Sequence, residues 1–369
     1  MEQEAENIQN NAKKRVLVAM SGGVDSSVAA ALLKEQGYDV VGVTMQVWDY
    51  SEDQCDINEG NGTCCSSIDV DDARAVADHL DIPFYVINCE EEFKVNVIDD
   101  FVNSYLEGKT PIPCVNCNSF LKFDFLIQKM KELNCDYLAT GHYATITTSR
   151  TGQASIVTSA DDWKDQTYFL FGIQKEIISS LLFPVGTWKK PELRAYAEEK
   201  GLPVFNKKDS TGICFVGPSG YAAFVESQVG KDKIRPGQIK LYPSGEVMAE
   251  HHGIHNFTYG QRKGLGVSYN EPLYVMKVDG ETDTVWLCEE NDLYSSELKI
   301  NNVNLLDEIV DGEVLNTKIR FAHKGADARF EKCEDGFVVK FSQPQRSITP
   351  GQAAVFYRDQ QLLGGGWIL

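Results

Sequence analysis

Ser21-Gly22-Gly23-Val24-Asp25-Ser26-Ser27 stands between the apolar run 15–20 (RVLVAM) and the run 27–37 (SVAAALLKEQG). That order reads as a short buried strand, a glycine turn, and a helix stopped by Gly37. Two adjacent glycines let backbone N–H groups close on an anion. The helix N-terminus behind them favours negative charge. Ser21, Ser26 and Ser27 add hydroxyl donors, and Asp25 is suited to hold Mg²⁺ against phosphate. No lysine follows the glycines, so this is not the GxxxxGK[ST] phosphate loop. A loop lacking that lysine suits the pyrophosphate released when ATP adenylates a second molecule. The plain alternative is an ordinary strand-to-helix turn.

Working outward, residues 39–45 (DVVGVTM) read as a second strand and 46–65 as a long polar loop. Val70, Ala73, Val76, Ala77 and Leu80 repeat at helical spacing, and Pro83 ends that helix before the strand FYVIN. Phe93, Val97, Phe101 and Tyr105 step by four, predicting a helix. The two prolines of PIPCVNCN (111–118) predict irregular chain. Phe123, Leu126, Met130 and Leu133 mark another helix, and DYLATGH another strand. Pro191 and Gly201 frame a late helix. Strand alternating with helix predicts an α/β doubly wound parallel sheet over 15–217. Residues 1–14 read as a flexible leader and 218–272 as a small linker domain opening with a helix at 218–228. Residues 273–369 carry short alternating strands (LYVMKV, TVWLC, VLNTKIRF, FVVKF, AAVFY) broken by turn residues, which predicts a C-terminal β-barrel.

The chain has 369 residues, long enough for two or three domains, and 43% hydrophobic residues, which excludes a disordered chain. No run approaches the roughly 20 apolar residues of a membrane span, and the polar start carries no signal-peptide pattern. A cytoplasmic protein with no membrane partner is expected. The net charge is −19, which argues against nucleic acid as a partner of the whole surface. The charge is concentrated: residues 49–107 hold 16 acids against Arg74 and Lys94, a local net of −14. That block is expected to face away from any bound RNA, because phosphate contacts need positive charge.

Ten cysteines in such a chain read as reduced core, catalytic or metal-binding thiols. Cys55, Cys89, Cys135, Cys288 and Cys333 read as small buried hydrophobes, and Cys64-Cys65 as structural. Cys117 precedes an amphipathic helix, where a thiol gains thiolate character. Cys214 lies in a Gly/Ser/Thr loop, a setting that leaves a thiol reachable. His251, His252 and His255 invite a metal reading, but only Glu250 stands nearby as a further ligand, and a loop role fits them better.

SGGVDSS resembles the signature of the ATP pyrophosphatase superfamily, whose members include amide-forming synthetases and RNA-thiolating enzymes. CCSSIDVDDAR (64–74), GKTPIP (108–113), Cys117-Asn118 with LKF (121–123), ATGHYA (139–144), KDQTYFL (164–170), FPVG (183–186), KKDSTGICF (207–215), GQRKGLG (260–266), TPGQAAVFY (349–357) and LGGGWI (363–368) extend the resemblance along nearly the whole chain. Together they resemble the bacterial tRNA-specific 2-thiouridylase family. The resemblance implies ATP-dependent transfer of sulfur to C2 of the wobble uridine of tRNAs of the Lys, Glu and Gln type, with a persulfide carrier protein or cysteine desulfurase as sulfur source. It implies Cys214 as persulfide carrier and Cys117 as partner nucleophile, joined by a disulfide at one stage. It implies an ATP site of Ala19, Met20, Ser21, Gly22, Gly23, Val24, Asp25, Ser26, Met45 and Gly141. Ile112, Pro113 and Cys114 are then expected against the target base. His142, Lys164, Asp165, Gln166, Arg320, Phe321 and Gln352 match tRNA-contact positions. Without the resemblance, Met45 reads as core, Gly141 as a turn, Lys164-Asp165 as a solvated helix start, and Arg320 and Gln352 as barrel surface.

In many members an Asp stands three residues before the first catalytic cysteine; here Cys114 does, giving Cys114-x-x-Cys117. A carboxylate is lost and a thiol gained. Three alternatives follow: a [4Fe–4S] cluster on Cys114, Cys117 and Cys214, a redox pair, or half a zinc site. Two further functional classes stay open on the glycine loop alone. They are an ATP-dependent amide-forming ligase, which has no use for KKDSTGICF, and a non-catalytic RNA-binding module.

Overall fold

The computed structural model describes residues 14–48, 67–149, 152–210, 212–334 and 336–369. The expected leader (save Lys14), Cys55, Cys64-Cys65 and most of the expected 46–65 loop lie outside them. The chain divides into two compact units, one built mainly from 14–96 and 114–215, the other from 97–113 and 216–359 with the C-terminal residues.

The first unit is built on a five-stranded sheet of β1 (Arg15–Ala19), β2 (Asp39–Gln46), β3 (Phe84–Asn88), β4 (Tyr137–Thr140) and β7 (Leu181–Leu182). Its order is β3-β2-β1-β4-β7 and every pairing is parallel. Val16, Val18 and Met20 join one apolar cluster with Ala73, Val76 and Ala77 of α2 (Ser67–His79). Leu17, on the opposite face, is also buried. Burial on both faces is why these strands read as continuous apolar runs. α1 (Val24–Glu35) is buried from Val24 through Leu33 except at Asp25, and packs with Tyr143, Val185, Leu193 and Ala197. α3 (Leu126–Glu132) and α4 (Lys190–Glu199) complete the expected helices of this unit. Pro191 stands in the first turn of α4, and Glu192 accepts a hydrogen bond from the Lys189 N–H at 3.1 Å, closing that end. The antiparallel pair β5 (Thr145–Thr148) and β6 (Ala154–Val157) and the two-residue β7 were not expected.

Irregular chain was expected over PIPCVNCN. Instead Pro113–Asn116 forms a helical turn that runs into a π-helical stretch, Cys117–Phe125. The prolines are compatible with this because Pro113 occupies the first helical position, where no N–H is needed.

In the second unit α5 (Gly220–Gln228) meets the helix Asp99–Leu106 through Tyr221 stacked on Tyr105, ring centroids 4.7 Å apart. β8 (Gly237–Leu241), β9 (Val247–His251), β10 (Tyr274–Asp279) and β11 (Thr284–Cys288) form one sheet in the order β10-β11-β8-β9. The expected boundary at 272/273 divides this sheet. The strands LYVMKV and TVWLC do not enter the C-terminal barrel: β11 pairs in parallel with β8. Ile239, Phe257, Val275, Val285 and Leu287 share the core that makes these segments one body. The barrel proper is β12 (Tyr294–Leu305), β13 (Val314–Lys318), β14 (Ala326–Cys333), β15 (Gly336–Arg346), β16 (Ala353–Arg358) and β17 (Gln361–Ile368). Their order is β12-β15-β14-β13-β16-β17, and a β12–β17 pairing closes it. A Cβ on Gly364 would stand 2.1 Å from the Asn304 carbonyl oxygen, so only glycine lets the closing strands approach.

Candidate active site

The strand order reverses at β1, which has β2 on one side and β4 on the other. Ligands of open α/β sheets bind outside the carboxyl ends of strands at such a switch point. Ser21–Ser27 lies there, directly after β1, and Gly141 directly after β4. Gly22 has φ +67°, and a Cβ on it would stand 2.2 Å from the Asp69 carbonyl oxygen. A Cβ on Gly141 would stand 2.5 Å from the Ser26 backbone nitrogen. The two glycines therefore bring α2 and the β4 turn against the start of α1. Ser26 Oγ accepts the Ser21 N–H at 3.1 Å, and Ser27 Oγ donates to the Gly23 carbonyl at 2.8 Å. The loop is held in a closed turn by its own serines. A glycine-lined turn at a helix N-terminus, with an acid in the first turn, fits the phosphates of a nucleotide and their Mg²⁺. Met20 is buried, and Met45 is half-buried near the carboxyl end of β2, in register with Ile87.

A charged network covers this turn. Lys190 Nζ donates to Asp25 Oδ1 at 2.6 Å and pairs with Asp209 at 2.8 Å. Lys164 Nζ donates to Asp209 Oδ2 at 2.6 Å, Arg194 donates to Asp209 Oδ1 at 2.5 Å, and the Tyr143 hydroxyl donates to Asp25 at 3.1 Å. Burial alone would raise the Asp209 carboxyl; the hydrogen bonds and charges of Lys164 and Lys190 outweigh it and hold the group well below the usual carboxylate range. Burial, then the Asp25 charge, pushes the Tyr143 hydroxyl far above its ordinary value. Lys207 Nζ donates to the Gly22 carbonyl at 3.1 Å and to Asp69 at 2.6 Å, and also bonds Asp72. Lys190, Arg194, Tyr143 and the acids Asp69 and Asp72 were missed as site residues. One signal was present: Lys189-Lys190 opens a helix, where bases oppose the dipole, so a carboxylate partner is implied.

Lys207 and Asp209 belong to the same segment as Cys214. Its next residue, Phe215, meets Phe93 edge-on at 5.6 Å. Phe93 ends the short helix Glu90–Phe93, which follows β3 and packs against the Cys117–Phe125 stretch. Cys89, buried at the end of β3, is pushed up to about 12, first by burial, then by the charges of Glu92 and Cys117. Lys207 therefore stands at the glycine turn, Asp209 in the charged network over it, and Phe215 against the short helix beside the Cys117 stretch. Cys117 and Cys214 are half-buried and Cys114 is exposed. Cys135 and Cys288 are buried, as expected of core thiols, and burial pushes each up to about 11. Cys333, expected in the core, is only half-buried.

The acidic block is not wholly turned from this edge. Asp69 and Asp72 share the single Lys207 ammonium group, and Glu90, Glu91 and Glu92 belong to the short helix that packs against the Cys117 stretch, because β3 delivers its next turn there.

Several expected tRNA positions have internal partners. His142 is buried; Lys122 Nζ lies 3.4 Å from Nε2, so Nδ1–H donates to Thr140 Oγ1 at 2.7 Å. Burial, then the Lys122 charge, holds the imidazole well below its ordinary value, so it is neutral. Asp165 is buried and accepts the Ser159 N–H at 3.0 Å and the Thr167 hydroxyl at 2.7 Å. Gln166 Oε1 accepts the Tyr143 N–H at 2.9 Å. Ile112 and Pro113 are buried. In the second unit Arg320 donates to the Arg346 carbonyl at 3.1 Å, Gln352 Nε2 donates to the Thr110 carbonyl at 2.9 Å, and Phe321 is exposed. His251 and His255 are tied to the Asp283 carbonyl and to Glu226. Among the described residues no group of three or more His, Cys, Asp or Glu is placed to hold a metal. The three thiols proposed for a cluster are thus not gathered as ligands. No helix among the described residues is long and apolar enough to cross a membrane.

Residues 14–218 match the model of the tRNA methyl transferase HUP domain, 222–289 its PRC-barrel domain, and 295–368 the aminomethyltransferase beta-barrel domain. The chain is 46% identical over 363 residues to the tRNA-specific 2-thiouridylase MnmA of Geotalea uraniireducens, covering 98% of this chain and 96% of that one. It is 46% identical over 359 residues to the protein of the same name from Clostridium perfringens, covering 96% and 98%. The Acetivibrio thermocellus protein of that name is 44% identical over 360 residues, covering 96% and 99%. On near-full-length identity of this order, together with the three domain matches, the chain belongs to the tRNA-specific 2-thiouridylase family.

Proposed function

We propose that this protein uses ATP to convert the wobble uridine of tRNA into 2-thiouridine. The observation that carries the reading joins Lys207, Asp209 and Phe215: Lys207 bonds the Gly22 carbonyl, Asp209 shares Lys190 with Asp25, and Phe215, next to Cys214, meets Phe93 beside the Cys117 stretch. These contacts support a reading in which nucleotide and thiol chemistry share one edge of one sheet.

The uridine C2 oxygen is a poor leaving group, and adenylation turns it into AMP. The oxygen attacks the α-phosphorus of ATP and pyrophosphate leaves. Backbone N–H groups of 21–26 receive the pyrophosphate, and Asp25 would hold a Mg²⁺ that offsets its charge. Sulfur then arrives as a persulfide on Cys214, loaded by a carrier protein or cysteine desulfurase. Its outer sulfur attacks C2 and expels AMP. Cys117, as thiolate, attacks Cys214 Sγ; the S–S bond breaks and the outer sulfur stays on C2. Cys117 and Cys214 are left as a disulfide, which takes two electrons from an external thiol before the next cycle. We assign this work to the cytoplasm. A persulfide route fits the residues better than a cluster, since the three thiols do not form a ligand set.

For RNA contact we propose Lys164, Arg320, Phe321 and Gln352, with Trp163, whose side chain is 93% exposed beside Lys164. An exposed indole beside a lysine is a stacking platform for an unpaired nucleotide. The test is nucleoside mass spectrometry of wobble-uridine tRNA incubated with the protein, ATP and a persulfide donor. Thionucleoside is expected with the wild type and none with Cys214→Ala. Equal product from both would refute the assignment.

A further inference from the structure

Cys114 is exposed, whereas Cys117 and Cys214 are half-buried. Cys114 is the second residue of the helical turn Pro113–Asn116, and Cys117 follows that turn directly. Residues three apart on a helix are surface neighbours, with Cβ atoms about 5–6 Å apart, against about 3.5–4.5 Å in a disulfide. The difference is small, and a first helical turn, whose N–H groups lack intrahelical partners, can absorb it. Exchange of a disulfide depends on access to the attacked sulfur. A Cys117–Cys214 disulfide joins two half-buried residues and is poorly placed for an external reductant.

We infer that Cys114 is a resolving thiol that moves this disulfide to the protein surface. The Cys114 thiolate attacks Cys117 Sγ. The Cys117–Cys214 bond breaks, and Cys214 leaves as thiolate, ready for a new persulfide. The Cys114 proton goes to solvent. A Cys114–Cys117 disulfide is formed, so the exchange itself moves no net electrons. An external thiol then reduces the exposed bond with two electrons and two protons. The relay gives a role to the thiol that stands where other members carry a carboxylate. It rests on the persulfide reading above.

The experiment is one thiolation cycle on the full chain, persulfide-loaded and free of reductant, with wobble-uridine tRNA and ATP. It is quenched with an alkylating agent, and both the linkages and the tRNA nucleosides are mapped by mass spectrometry. The expected wild-type product is a Cys114–Cys117 linkage with Cys214 alkylated. In Cys114→Ser that linkage is lost and Cys117–Cys214 takes its place. Cys114→Ala, read the same way, guards against an effect of the serine hydroxyl. Thionucleoside with a Cys117–Cys214 linkage in the wild type, the same as in the variants, would overturn the relay and leave the persulfide reading standing. No thionucleoside in the wild type would instead sink the persulfide reading.

Discussion

Lys190, in the first turn of α4, donates from Nζ to Asp25 Oδ1 at 2.6 Å, across 165 residues of sequence. The same ammonium group pairs with Asp209 at 2.8 Å and is itself almost buried. One cation therefore ties the start of α1 to the segment that carries Cys214. Removing it leaves two carboxylates facing each other without their shared counter-charge. Lys190→Met is expected to lower stability by about 3 kcal/mol and to weaken ATP-dependent pyrophosphate release. Chemical denaturation and a pyrophosphate assay check this. A variant as stable and active as the wild type would show that the lysine is surface decoration.

Phe93 and Phe215 meet edge-on at 5.6 Å. Such pairs contribute about 0.5–1.5 kcal/mol beyond their buried area. Phe93→Leu keeps the apolar volume and removes the ring contact. Sulfur transfer is expected to slow by roughly fivefold, about 1 kcal/mol on the barrier, while pyrophosphate release keeps its wild-type rate. Equal slowing of both steps would mean that Phe93 supports the whole domain rather than the seat of Cys214.

Trp163 offers its indole to solvent next to Lys164. Base stacking on an aromatic ring contributes about 1–3 kcal/mol. Trp163→Ala is expected to raise the tRNA KM by roughly tenfold, about 1.4 kcal/mol, with kcat for bound tRNA retained. An unchanged KM would place the RNA elsewhere.

His142 gives the fold a pH dependence with a definite sign. Burial, then Lys122, holds its native value well below the ordinary one, while the unfolded chain titrates near about 6.5. Below that value the unfolded state binds the extra proton. The contribution is therefore fully present above about pH 6.5 and is lost as pH falls toward the depressed native value. His142→Asn is expected to flatten the fall in stability between about pH 6.5 and pH 5, by up to about 1.4 kcal/mol per pH unit. His251 and His323, also lowered mainly by burial, keep part of the slope. Identical slopes for the two proteins would contradict the burial argument.

The parallel sheet was legible because β1, β2 and β4 are buried on both faces and so carry unbroken apolar runs beside the glycine turn. β7 was not, because two residues, Leu181-Leu182, carry no period. Alternation identified β10 and β11 as strands but not their partners. Their sheet is fixed by a non-local pairing, Trp286 with Lys240, that no local pattern encodes. Cys117 and Cys214 stood out by setting, whereas Lys190 did not: its meaning comes from carboxylates 165 and 19 positions away. The prolines near Cys114 misled for a related reason. A proline breaks a helix interior yet suits the first helical position, and Pro113 occupies the latter.

Adenylation of the C2 oxygen is the step on which the rest of the chemistry depends. The most direct measurement labels the wobble-uridine C2 oxygen of a tRNA with heavy oxygen, runs the reaction with ATP and persulfide-loaded protein, and weighs the AMP released. The account predicts that the heavy oxygen leaves in the phosphate of AMP, in proportion to the thionucleoside formed. Thionucleoside formed with the label in water and none in AMP would contradict it.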